Sequence, residues 1–181
     1  FENVTLAGVV TLGAALDADA TLIISSGSLD VSGSNFGVTV GGSWTDTGAG
    51  TFTEGTGTVT FDGTGTLNAN EVFKNITVNT SGTVTLGAAL DADGNITITS
   101  GTLDVSGSNF GITVGGNWAK SGTFTQRLGT VTFDTAGTTS TISGSTTFFN
   151  FTSTTALKPL TFTAGKTQTI SGAFTITGTS G

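Results

Sequence analysis

The chain repeats itself at long range. Residues 11–44, TLGAALDADATLIISSGSLDVSGSNFGVTVGGSW, return as residues 85–118, TLGAALDADGNITITSGTLDVSGSNFGITVGGNW, at an offset of 74 with no gap. Residues 50–62, GTFTEGTGTVTFD, return as residues 122–134, GTFTQRLGTVTFD, at an offset of 72. FENVT at Phe1, FKNIT at Phe73 and FFNFT at Phe148 open three copies. The chain therefore divides into repeat 1 (1–72), repeat 2 (73–147) and a partial repeat 3 (148–181). No linker separates them, since VFKNITV runs straight through a junction. Units joined in this way bury their apolar faces against one another and form one continuous body.

A shorter period lies inside the long one. Segments of the form Gly–x–apolar–x open at Gly8, Gly27, Gly50, Gly65, Gly82, Gly101 and Gly122, with a degenerate one at Gly137. The spacings are 19, 23, 15, 17, 19, 21 and 15 residues, the size of one β-solenoid coil, and four such units make one long repeat. Side chains alternate along a strand. Stacked units would place Val10, Leu29, Phe52, Leu67, Val84, Leu103 and Phe124 in one inward ladder. Ser28, Thr51, Thr66, Thr83, Thr102 and Thr123 would face outward, and each Gly would turn a corner. The expected fold is an all-β solenoid of about ten short coils, four per repeat, roughly 50 Å long. The alternative is a pair of tandem immunoglobulin-like β-sandwiches. The short unit has no reason to recur inside a sandwich, and a sandwich does not tolerate a third copy that stops part-way.

Composition agrees with strands. Gly occurs 29 times, proline once, and only 9% of residues are charged. Thr, Val, Ile and Phe favour strands, and the good helix formers Glu, Lys, Gln, Arg and Met are scarce or absent. There is no apolar run long enough for a membrane span. The net charge is −7 and the basic residues Lys74, Lys120, Arg127, Lys158 and Lys166 are scattered, which argues against nucleic acid as a partner. Without cysteine, stacked coils must do the work of disulfides in an exported chain.

SGTLDVSGSNFGITVGGNW, SGTFTQRLGTVTFD and TISGSTTFFNFT resemble bacterial secreted β-strand-repeat surface proteins. These are related in style to filamentous haemagglutinins and autotransporter passengers. The resemblance covers nearly the whole chain and implies an exported, right-handed β-solenoid at the cell surface. It implies no functional residues, because the shared pattern is itself structural.

Few residues of this chain are equipped for chemistry. With neither His nor Cys, no Ser–His–Asp or Cys–His arrangement and no ordinary zinc site can form. The expectation is a non-enzyme without cofactors. Asp17/Asp19 and Asp91/Asp93 are paired carboxylates in a turn context. Asp91, Asp93 and Asn95 form a weak calcium candidate lacking the later ligands of a calcium loop. A β-helical polysaccharide-acting enzyme would cluster carboxylates beside a groove, whereas here they are spread. Asp30 and Asp104 fall in an outward row, where a charge resists lateral sheet pairing. Trp44 and Trp118 are candidate sugar contacts, or else corner-filling core residues like Phe36 and Phe110. Asn3, Asn75, Asn79, Asn95 and Asn150 sit in Asn–x–Ser/Thr sequons, candidates for N-glycosylation, although chance predicts roughly three or four.

The ends complete the reading. Solenoids need polar caps. Neither the first residues (Phe1, Val4, Leu6) nor the last (173–181, with Phe174 and Ile176) reads as one. Either the chain is cut from a longer array, or its ends dock head to tail and build an open filament of copies of itself. The expectation is a structural segment of an extracellular filament or stalk. The alternative is an adhesin module that binds surface glycans or partner cells.

Overall fold

A computed structural model describes residues 1–46 and 48–177. The described residues contain strands and no helix, and hence no helix long and apolar enough to cross a membrane. Every strand pair is parallel. That excludes immunoglobulin-like sandwiches, whose sheets are antiparallel, and shows a β-solenoid.

The solenoid has three sides. The first stacks residues 4–6, 22–24, 44–46, 65–68, 84–86, 102–104, 123–125, 146–148 and 168–170. The second stacks 8–11, 27–30, 50–53, 72–73, 90–92, 112–114, 130–133, 150–153 and 174–176. The third stacks 16–18, 38–40, 58–61, 75–78, 96–98, 118–120, 140–143 and 160–162. Eight coils are complete, somewhat fewer than the ten expected, and a ninth has its first two sides. Four strands, Val4–Thr11, Leu22–Asp30, Asn75–Leu86 and Ile96–Asp104, bend around a corner and serve two sides each.

The Gly-led unit does mark a corner. Gly8, Gly27 and Gly50 lie directly above one another. Gly27 has φ +77°, and a Cβ there would lie 2.4 Å from the carbonyl carbon of Gly8. Only glycine meets both demands.

The expected single inward ladder is two ladders. Val10, Leu29 and Phe52 pair on the second side, and Val84, Leu103 and Phe124 on the first. Leu67 joins neither, lying between Trp44 and Leu86. The cause is the phase of the long repeat. Trp44 is on the first side of coil three, and its counterpart Trp118 is on the third side of coil six. The long repeat thus covers eleven side positions, one short of four coils. Each copy is set back by one side, about a third of a turn.

One apolar core runs the length of the rod. Its largest members form two equivalent clusters. Trp44 packs edge-on against Phe52 (5.0 Å between ring centroids) and Phe73 (5.2 Å). Trp118 packs against Phe124 (4.9 Å) and Phe148 (5.4 Å). These trios sit where the strand ladder is interrupted, between 50–53 and 72–73 and between 123–125 and 146–148. Stacked rings hold neighbouring coils together where backbone pairing lapses.

Candidate functional site

The sides of the rod are built from side chains that bind one another. Asn75, Asn95 and Asn117 form a ladder in which each side-chain oxygen accepts the next coil's backbone N–H. Asn95 N–H donates to Asn75 (3.0 Å), Asn117 N–H to Asn95 (2.8 Å) and Thr141 N–H to Asn117 (2.8 Å). Asn75 Nδ2 also donates to the carbonyls of Thr56 and Gly57. The other sequon asparagines make similar contacts: Asn3 accepts from Thr21 N–H, Asn79 from Ser100 Oγ, and Asn150 from Ala173 N–H. The motif that reads as a glycosylation signal therefore has a structural use at all five positions. The same ladder occupies the Asn95 oxygen of the calcium candidate. Among the described residues no group of three or more acidic, His or Cys side chains is placed to hold a metal ion.

Trp44 and Trp118 are both 0% exposed, which corrects their place as sugar contacts. A ring sealed inside the coil presents no face to a sugar. Phe110 is partly buried against the core, as expected.

Asp104 also departs from its expected exposed role: it is buried, and Arg127 of the next coil grips it. Arg127 Nε lies 2.6 Å from Oδ1 and Nη2 2.7 Å from Oδ2, a bidentate pair. The hydrogen bonds from Arg127 hold the Asp104 carboxyl below its ordinary range, against the opposing effect of burial. In repeat 1 the counterpart of Arg127 is Gly55, and Asp30 instead accepts from the N–H and Oγ of its neighbour Ser32.

Other carboxylates are shifted upward. Burial, then Asp93, raises Glu54; burial also raises Glu71; burial, then Asp93 and Asp134, raises Asp91. One Glu54 oxygen is buried without a hydrogen-bond partner, beside a void of about 10 Å³ lined by Phe36, Phe52 and Lys74 among others. The void has room for one water molecule at most and is no substrate site.

The ends differ from the sides. At the first coil Val4, Leu6, Val10 and Leu16 point inward but are only partly buried, and Phe1 is 77% exposed. Phe1 lies on the third side beneath residues 17–19, accepting from Asp19 N–H and donating its N-terminal amine to the Asp17 carbonyl. At the last described coils Phe162, Phe174 and Ile176 are exposed, at 43%, 57% and 46%. Leu157, Pro159, Lys158 and Ile176 border an open groove of about 410 Å³ at that end. Residues 174–176 form the expected strand, and 178–181 lie outside the described residues.

The signal for the Asn ladder was in the sequence, as an Asn before an Ile–Thr or Trp strand. The Asp104–Arg127 pair had no sequence signal, because the partners lie 23 residues apart in different coils.

Compared with protein families, curated proteins and solved structures, the chain matches none.

Proposed function

We propose that the chain is a structural segment of an extracellular filament or stalk, assembling by head-to-tail stacking or strand addition at uncapped ends. The observation that carries this reading is the single parallel stack itself, whose one apolar core runs from coil to coil along the rod. In the first and last described coils inward-facing apolar side chains are less covered than in the rest of the stack, and further coils, of this chain or of another copy, would cover them. The edges of such a stack add further strands readily. The sides, by contrast, are spent on holding coil to coil. The resemblance of the repeat motifs to secreted β-strand-repeat surface proteins supports the extracellular setting.

The adhesin alternative loses the two contacts assigned to it, because Trp44 and Trp118 are sealed in the core. A glycan array would revive it only through another surface.

Sedimentation velocity over a concentration series, followed by negative-stain imaging, tests the filament reading. The expected result is rods that lengthen with concentration in steps of about 43 Å, nine coils at ~4.8 Å each. A single monomeric species at every concentration overturns it.

A further inference from the structure

We propose that the third side of the rod is an ice-binding face. This binding is independent of the filament reading, because it belongs to side chains in the second to seventh coils, away from either end.

Three observations carry it. The first is regularity. The third side is paired in every coil from 16–18 to 160–162. Among the described residues it is the one side whose ladder has no interruption. Register sets its outward side chains in two straight columns. Thr39, Thr60, Thr77 and Thr97 stand directly above one another in the first, followed by Ala119 and Ser143. Thr58, Asn75, Asn95, Asn117 and Thr141 make the second, two residues back along each strand. Neighbours in a column are about 4.8 Å apart, and the two columns about 6.7 Å apart. The shorter spacing is close to the oxygen repeat along one axis of hexagonal ice.

The second is chemistry. Threonine is stiff about χ1, so a stack of like neighbours holds each hydroxyl and each methyl at a fixed place. The asparagine oxygens of the second column are spent on the next coil's backbone. The hydroxyls of Thr39, Thr60, Thr77 and Thr97 are not: among the described residues none has a hydrogen-bond partner in the protein. Each is free to hold one water molecule, while the methyls beside it restrict where other water lies. A row of such groups at the strand spacing orders water into a row of the same spacing.

The third is what the face excludes. From the second coil to the seventh its two columns hold no charged and no aromatic side chain. Without an exposed ring it has no platform for a sugar lattice. The flanking corners are net acidic, with Glu54, Asp93 and Asp134 beside Lys74 in one, and Asp19 and Asp62 beside Lys120 in the other. Two copies laid face to face would bring like charges together, whereas ice has no net charge to oppose them. The setback of the long repeat makes a shorter row on the second side, Thr113, Thr132 and Thr152, but that row starts at Asp91, whose charge orients water on its own terms.

The test measures partition of the full chain into a slowly growing ice front, together with thermal hysteresis. The unaltered chain is expected to be enriched in the ice at least tenfold over an inert protein of the same size. Thr60→Lys and Thr132→Lys are a matched pair: each changes the same Thr of a TVTF strand, 72 residues apart in the two repeats, and their melts should agree. Thr60→Lys is expected to lower the enrichment at least tenfold, and Thr132→Lys less than twofold. Thr97→Lys, two coils further on, should act as Thr60→Lys does, so the result does not hang on the folding of one variant. An unaltered chain with neither enrichment nor hysteresis overturns the proposal, as does an equal loss in the matched pair. Side-by-side dimers that Thr60→Lys dissolves, without partition into ice, would assign the face to a second copy. Retention on crystalline cellulose or chitin, without partition into ice, would assign it to a sugar lattice. Both results overturn ice as the ligand, and none of them bears on the filament reading.

Discussion

At the scale of single residues, the corners decide whether the coils close. Gly27 combines φ +77° with a would-be Cβ position 2.4 Å from the backbone of Gly8. Gly27→Ala should therefore destabilise the rod by at least about 2 kcal/mol, through left-handed strain and displacement of the coil below. Gly33, in an exposed loop with open space around its Cα, is the control: Gly33→Ala should shift the melting temperature by little. Comparison of the two melts checks this. The ion pair of Asp104 gives a second expectation. Arg127 has φ +41°, so Arg127→Gly eases the backbone while removing the guanidinium, and any loss of stability belongs to the pair. The folded carboxyl of Asp104 is held below its unfolded value, so it contributes stability above the unfolded pKa that disappears as pH falls through the folded one. Arg127→Gly should raise the Asp104 pKa and make acid unfolding begin at higher pH. A carboxyl titration followed by carbon NMR reads the first effect and a pH series of melts the second.

At the scale of strands and their stacking, the two aromatic clusters look alike but end differently. Trp118 Nε1 donates to Thr146 Oγ1 at 3.2 Å inside the core, whereas Trp44 Nε1 is buried with no hydrogen-bond partner. Both rings fill the same volume. Trp118→Phe should consequently cost about 1 kcal/mol more than Trp44→Phe, since only the former breaks a made bond and leaves Thr146 without its donor. Parallel chemical denaturation of the two variants measures the difference. These elements also show what a sequence can and cannot disclose. The alternation in GTFT and TVTF sets Phe52, Val59 and Phe61 inward, and the structure buries all three. The corner at Gly27 follows equally from local chemistry. The side on which a strand falls does not. It depends on the running count of corners modulo three, and one corner more or fewer moves every later residue around the rod. That is why Leu67 reads as a neighbour of Val84 and instead pairs with Leu86. The burial of Trp44 is ambiguous in the sequence for a related reason: a Trp after two glycines suits an exposed platform or an interior corner, and only the coil above determines which.

At the scale of the whole rod, the setback of one side per long repeat decides where equivalent residues fall around it. Equivalent surface features, such as the loops that carry Asn35 and Asn109, do not form a stripe along one side. They climb around the rod, returning to the same side only after three long repeats. Removal of residues 11–84 deletes one long repeat and joins Val10 to Thr85, which restores the local sequence that Val84 and Thr85 already have. Residues 90–98 then stack on residues 1–6 in place of their counterparts 72–78, so the shortened chain should retain its β-sheet circular dichroism and a cooperative melt. The shortened rod should melt at a lower temperature than the full chain, because eleven side positions of stacked core are gone. A melting temperature equal to that of the full chain would overturn this, whereas a cooperative melt at a lower one would show that the two long repeats are interchangeable units of a single stack.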